Sequence, residues 1–392
     1  MPRSTKKSAS GAGTIRKKTV TKGGKSYTYW EARYTLGFDQ MTGKQIQRSI
    51  TGKTQKEVAQ KLREITVELD QGTYQEPTKM TLGEWLEIWL KDYSVNLKPM
   101  TQQTYSEQIQ NHIKPELGRI KLKDLKTHMI QRFYNSLATG EKPLAAKTIK
   151  NIHGVLHRAL NQAVSNNLIR VNPATACVLP KVQKPEIKPL EPGEIYRILQ
   201  EAKEDDYQNL VTVALFTGMR QGELLGLSWD CVDFETGVII VKQQLQHKDG
   251  KYFLCSPKSN KPRKMLPAPL VMDALKAEQE KQRLAQQQAG EVWSNPFNLV
   301  FTDASGKNLV RRTVVKHFKA IAERAGAGDA RFHDMRHSFA VASLLAGDDI
   351  KTVQENLGHA TAAFTLDVYG HVTEQMRRDS ASRMQRFYES LG

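Results

Sequence analysis

Four segments in the second half of this 392-residue sequence place polar groups where a folded chain would ordinarily want core or plain surface. Thr217-Gly218-Met219-Arg220-Gln221-Gly222-Glu223 follows the apolar run Leu210–Phe216. Phe332-His333-Asp334-Met335-Arg336-His337 opens the apolar stretch Ser338–Ala346. Leu357-Gly358-His359 closes a short helical pattern, and Thr365-Leu366-Asp367-Val368-Tyr369-Gly370 follows it. A further basic group, Lys258, lies just beyond a hairpin pattern, in a loop that also holds Lys261 and Lys264. Arg220 and Arg336 are two guanidiniums able to clamp an oxyanion through bidentate hydrogen bonds. His333 and His359 can donate further hydrogen bonds to such a charge. Tyr369 offers a hydroxyl nucleophile, but a phenol of pKa about 10 needs help at neutral pH. Glu223, three residues after Arg220, is placed to orient it, and Gly218 and Gly358 permit close backbone approach.

Singly, these segments have plainer readings. The TGMRQGE stretch could start a helix carrying a surface arginine, and Tyr369 could be any exposed tyrosine. His333 and His337 stand at i, i+4, as a zinc-binding pair would. The segment lacks the glutamate of an HExxH motif in the right place, however, and no third ligand is evident, so a packing role suits His337 better. What the single readings do not explain is five elements in one order at fixed spacing.

Together the segments resemble the motif set of the tyrosine recombinases, the phage-type integrases. That set has an arginine in a TGxRxxE turn, a hairpin lysine, an HxxRH box, an LGH motif and a tyrosine ten positions beyond its histidine, as His359 and Tyr369 are spaced. Within the family the sequence looks closest to integrases of Gram-positive conjugative transposons and temperate phages. The resemblance implies that Arg220, Lys258, His333, Arg336, His359 and Tyr369 are catalytic, with Tyr369 the nucleophile, His333 assisting it as a base and Lys258 protonating the departing 5′ oxygen. Glu223 would support Arg220 from behind. The product would be a 3′-phosphotyrosyl bond that conserves the energy of the phosphodiester, so no cofactor and no metal is expected. Double-stranded DNA with core and arm-type attachment sites would be the partner, bound by a tetramer on two DNAs, with an excisionase or other directionality factor. Two rivals share much of this chemistry. A type IB topoisomerase uses a similar residue set as a monomer without an arm domain, and a DNA-binding regulator could carry a decayed site.

The rest of the sequence must position these groups. Its length calls for more than one hydrophobic core. Lys and Arg number 58 against 41 Asp and Glu, a net charge of +17, which favours a polyanion partner. Three scattered cysteines, no signal-like apolar stretch behind the basic N-terminus and no bilayer-length apolar run lead to the expectation of a cytoplasmic, nucleoid-associated protein without a membrane partner.

Three domains are expected in a mainly α architecture with small β elements. Residues 1–75 would be an arm-type DNA-binding domain, disordered over 1–12, with three short antiparallel strands and a helix begun at Thr54 with Glu57 in capping-box spacing. Arg16, Lys17, Arg33 and Arg48 on those strands are its candidate DNA contacts, since a β-ribbon fits the major groove. Trp30 is better read as core. Residues 80–178 would be a helical core-binding domain with helices over 81–93, 101–113, 123–137 and from 148, and Lys98, Lys147 and Lys150 as its candidate DNA contacts. Residues 190–392 would be a mixed α+β catalytic domain, in which Gly237–Gln246 and Lys251–Leu254 form a hairpin. The chain closes on an amphipathic helix whose Met384, Phe387, Tyr388 and Leu391 must be buried somewhere, on its own domain or on a neighbouring subunit.

Overall fold

The computed structural model describes residues 14–39, 42–71, 74, 79–183, 188–257, 261–358 and 373–391. Lys258, His359, Tyr369 and the N-terminal residues 1–12 lie outside them. The chain divides into two compact units, 1–182 and 183–392. No described helix is long and apolar enough to cross a membrane.

The first unit holds two separate hydrophobic cores. Strands β1 (Ile15–Lys22), β2 (Lys25–Phe38) and β3 (Gln45–Gly52) form an antiparallel sheet in the order β1-β2-β3. Helix α1 (Gln55–Asp70) begins where the Thr54 hydroxyl accepts from the Glu57 amide. The reciprocal half of the expected capping box is displaced by one residue, since the Glu57 carboxylate accepts from the Lys53 amide. Val58 and Leu62 of α1 bury against Ala32 and Tyr34, and Trp30 packs at the edge of that core. A helical bundle follows: α2 (Leu82–Ile88), α3 (Pro99–Gln108), α4 (Lys114–Leu117), α5 (Thr127–Thr139) and α6 (Ala146–Ser165). A full capping box at Thr81 and Glu84 opens α2, which runs on through a π turn, Trp89–Tyr93. A second π turn, Ile109–Ile113, joins α3 to α4. Residues Leu122–Asp124 form a 3-10 turn, so α5 starts later than the sequence pattern suggested.

The second unit is mixed. Helices α7 (Pro192–Ala202), α8 (Gln208–Thr217), α9 (Gln221–Leu225), α10 (Pro269–Ala289), α11 (Arg311–Arg324), α12 (Asp334–Ala346), α13 (Ile350–Leu357) and α14 (Thr373–Glu389) accompany two small sheets. One sheet has the order β4 (Val232–Asp233), β5 (Val238–Val241), β8 (Arg263–Met265), and the other is the hairpin β6 (Gln244–Lys248) and β7 (Lys251–Cys255). The single strand expected over 237–246 is therefore broken at Lys242-Gln243. The cause is local: the Gln243 side chain turns in to donate to the Gly226 carbonyl at 3.0 Å and to Ser228 Oγ at 2.9 Å. Most of the core is one cluster that includes Leu210, Val213, Leu224, Val300, Phe318 and Met335. The helical tail exists as expected, but Met384, Phe387, Tyr388 and Leu391 are all exposed on it.

Candidate active site

Helix α8 ends because Gly218 adopts the left-handed conformation, φ +60°. A Cβ there would also stand 2.5 Å from Phe339 and 2.7 Å from Leu357, so the position is closed to any side chain on two counts. The turn delivers Arg220 to the N-terminus of α9. Its amide donates to Glu223 Oε2 at 3.0 Å and its Nη1 to Glu223 Oε1 at 2.7 Å, while Nη2 reaches the Gly358 carbonyl at 3.2 Å. Arg336 enters from the first turn of α12, only 4% exposed. Its Nη1 donates to the Gly218 carbonyl at 2.6 Å and its Nη2 to the Leu357 carbonyl at 2.7 Å. Both guanidiniums therefore converge on the 357–358 turn, the last described residues before His359.

Glu223 is fully buried and does more than hold Arg220. Its Oε2 also accepts from Arg263 Nη2 at 2.7 Å, and Arg263 Nε donates to the Asn356 carbonyl at 2.8 Å. Arg263 is absent from the expectations drawn from the sequence. The available signal was its alternation with the buried Met265 on β8, which turns both residues inward. Burial alone would push the Glu223 carboxyl up, but the hydrogen bond and charge of Arg263, joined by Arg220, bring it down to about 2. A depressed carboxylate contributes stability that is complete above its unfolded value, near 4.5, and is lost as pH falls towards about 2. That gap corresponds to about 3 kcal/mol. Glu223→Gln, which strands two guanidiniums without their counter-ion, should lose about 3–5 kcal/mol at pH 7. Urea titrations should show the two proteins converging in stability as pH drops below 4.5, and a constant difference at every pH would count against this account.

His333 stands at the N-cap position of α12 without a side-chain capping bond, and the residue is exposed. Its pKa is held down to about 4, first by crowding among protein atoms, then by the charges of His337 and Arg336. The ring is thus neutral at pH 7 and can accept a proton. His337 is buried, with its ring 4.9 Å from that of His333 and edge-to-face, and burial lowers its pKa too. That is the packing histidine the sequence suggested. Among the described residues, no group of three His, Cys, Asp or Glu side chains is arranged to hold a metal ion.

Arg220, Glu223, His333 and Arg336 are thus brought together, with Lys258, His359 and Tyr369 outside the described residues. The basic candidates of the first unit are more scattered. Lys147 and Lys150 are both exposed on the first turns of α6, and Lys98 precedes α3. On the sheet, register separates the four arginines and lysines. Lys17 pairs with Trp30 and Arg48 with Tyr34, which puts both on the α1 side, whereas Arg16 and Arg33 occupy the opposite face. Two further side chains share that opposite face: Lys18, which with Arg16 binds the buried Glu31, and Tyr29 beneath Lys18.

Residues 188–376 match the phage integrase family, and residues 81–138 match the N-terminal SAM-like domain of phage integrases. A tyrosine recombinase XerC-like protein of Caldanaerobacter subterraneus is 30% identical across 95% of this chain and 99% of its own length. The ICEBs1 integrase of Bacillus subtilis is 23% identical across 91% of this chain and 96% of its own. Among solved structures, the Tn1549 transposon integrase in complex with a circular intermediate DNA superposes with a TM-score of 0.66 at 23% identity, covering 78% of this chain and all of that one. A lambda integrase tetramer bound to a Holliday junction gives 0.53 at 21%, covering 86% of this chain and 92% of that one.

Proposed function

Because the chain belongs to the phage integrase family of tyrosine recombinases, which are site-specific DNA recombinases, we propose a residue-level account of how it cuts and rejoins the ends of a mobile element. Tyr369 Oη attacks the scissile phosphorus while its proton passes to His333. The bond from phosphorus to the 5′ oxygen breaks, and Lys258 protonates that oxygen. The product is a 3′-phosphotyrosyl protein and a free 5′-hydroxyl, and attack by a 5′-hydroxyl from the partner DNA reverses each transfer. Arg220, Arg336 and His359 stabilise the charge that builds on the non-bridging oxygens. The observation that carries this reading is the convergence of Arg220 and Arg336 beside a neutral His333, on the turn that leads into His359.

The division of labour is proposed along the chain. Residues 1–75 hold arm-type sites, 80–178 grip the core site with Lys98, Lys147 and Lys150, and 190–392 perform the chemistry. On the arm sheet, Arg16 and Arg33 share a face suited to DNA. Four subunits on two DNAs, an excisionase partner and a cytoplasmic setting at the nucleoid complete the picture. The DNA-bound transposon integrase and the tetramer on a Holliday junction among the structural neighbours support it. The exposed Met384, Phe387, Tyr388 and Leu391 favour docking of α14 on a second copy, and an apolar groove lined by Phe216, Leu266, Phe339 and Ala342 offers a receiving surface.

The test is recombination by purified protein together with its excisionase partner, in EDTA and without nucleotide, on a plasmid carrying both ends of the element. The expected products are an excised circle and a resealed backbone. Relaxation of supercoiled plasmids lacking those ends, with no excision, would instead favour a topoisomerase and defeat the proposal.

A further inference from the structure

Three successive carbonyls at the C-terminus of α13 each accept from a different guanidinium. Asn356 O is held by Arg263, Leu357 O by Arg336 and Gly358 O by Arg220. Helix ends leave such carbonyls without intrahelical partners, and positive charge is favourable there. Two of these arginines belong to the proposed phosphate clamp. The third does not, and yet it holds both a carbonyl of this helix end and the carboxylate behind Arg220. Arg263 spans from Asn356 to Glu223, so the carboxylate that orients Arg220 is divided between the two: Oε1 receives Arg220 Nη1, and Oε2 receives Arg263 Nη2. Its remaining nitrogen, Nη1, is buried with no hydrogen-bond partner among the described residues. That nitrogen lies 3.1 Å from the point a Cβ on Gly358 would occupy.

The geometry points to Arg263 as a positioning residue for cleavage, fixing the Glu223–Arg220 pair and the turn that leads into His359. Without it, Glu223 has one guanidinium to satisfy with two oxygens and is free to swing toward Arg220, and the Asn356 carbonyl loses its donor. Gly358, packed against the guanidinium, loses the wall that holds its turn. Each change displaces the clamp relative to the scissile phosphate, and a displacement of about 1 Å costs on the order of a hundredfold in rate. The β5 pairing of β8 remains through Ile239–Met265 and Ile240–Lys264, so the strand that follows the Lys258 loop keeps its place. The loss should therefore fall on the clamp and spare the general acid.

This inference rests on the reading of Arg220 as a phosphate clamp, and chemistry can separate the two. A methylphosphonate replaces one charged non-bridging oxygen with a methyl group, so its transition state needs less neutralisation by a guanidinium. Single-turnover cleavage by the full-length protein is measured on nicked core-site DNA with a phosphodiester or a methylphosphonate at the scissile position. Arg263→Gln should bind the core site within about threefold of the unmodified protein and cleave the phosphodiester on the order of a hundredfold more slowly. On methylphosphonate the deficit should shrink to a few-fold, as it should for Arg220→Ala measured alongside. If Arg220→Ala is not relieved, the clamp reading fails. If Arg220→Ala is relieved and Arg263→Gln is not, or if Arg263→Gln cleaves both substrates normally, the positioning role is wrong. A variant that merely unfolds would lose both substrates equally. Should Arg263→Gln not fold, Arg263→Lys keeps the charge beside Glu223 without the planar fork and must show the same substrate-dependent deficit, reduced in size. Wild-type behaviour of that variant on both DNAs would overturn the inference.

Discussion

Arg336→Lys should cut single-turnover cleavage by about a hundred- to a thousandfold, the scale of losing a donor to a developing oxyanion. Charge is conserved in this exchange, so the loss isolates geometry. The planar fork of Arg336 holds two carbonyls on separate segments at once, Gly218 O at the end of α8 and Leu357 O at the end of α13. An ammonium is a compact point charge that cannot span both. One buried carbonyl would then lie unpaired, at a cost of roughly 1–3 kcal/mol, and the urea midpoint should fall accordingly. Core-site binding should change far less than cleavage, since the guanidinium acts on charge that grows in the transition state. Cleavage by Arg336→Lys within a few-fold of the unmodified protein would remove Arg336 from the clamp.

What the sequence disclosed about this site depended on how local each feature is. The TGMRQGE turn carries its own logic, because Gly218 ends α8 with its left-handed backbone and Arg220 and Glu223 satisfy each other within four residues. The HDMRH segment is equally compact, and both histidines fell where spacing put them. Arg263 stayed hidden because its partners are 40 and 93 residues away, and one arginine beside Lys261 and Lys264 looks like ordinary basic loop. Strand alternation exposes the same limit in the small sheet. Composition picked out Arg16, Lys17, Arg33 and Arg48 as a set, but only the register with β2 reveals that two of them lie on the α1 side. The helical bundle was readable from its apolar stripes, whereas the π turns at Trp89–Tyr93 and Ile109–Ile113 leave no period to detect. The break between β5 and β6 is set by the two hydrogen bonds of the Gln243 side chain to Gly226 and Ser228, which no pattern of apolar residues announces.

The largest effect should come from Tyr369→Phe, which removes a single oxygen, the one proposed to attack phosphorus. Nothing else in the proposed site offers a hydroxyl, so no residual covalent chemistry is expected, while Arg220, Arg336 and the DNA-binding units are untouched. The decisive measurement uses a nicked suicide substrate that loses its 5′-hydroxyl fragment on cleavage and so traps the protein on DNA. The unmodified protein should give a denaturant-stable adduct whose proteolysis leaves DNA on the peptide containing Tyr369, and Tyr369→Phe should bind the same DNA and give none. An adduct formed by Tyr369→Phe, or DNA recovered on a different peptide such as that of Tyr388, would contradict the account.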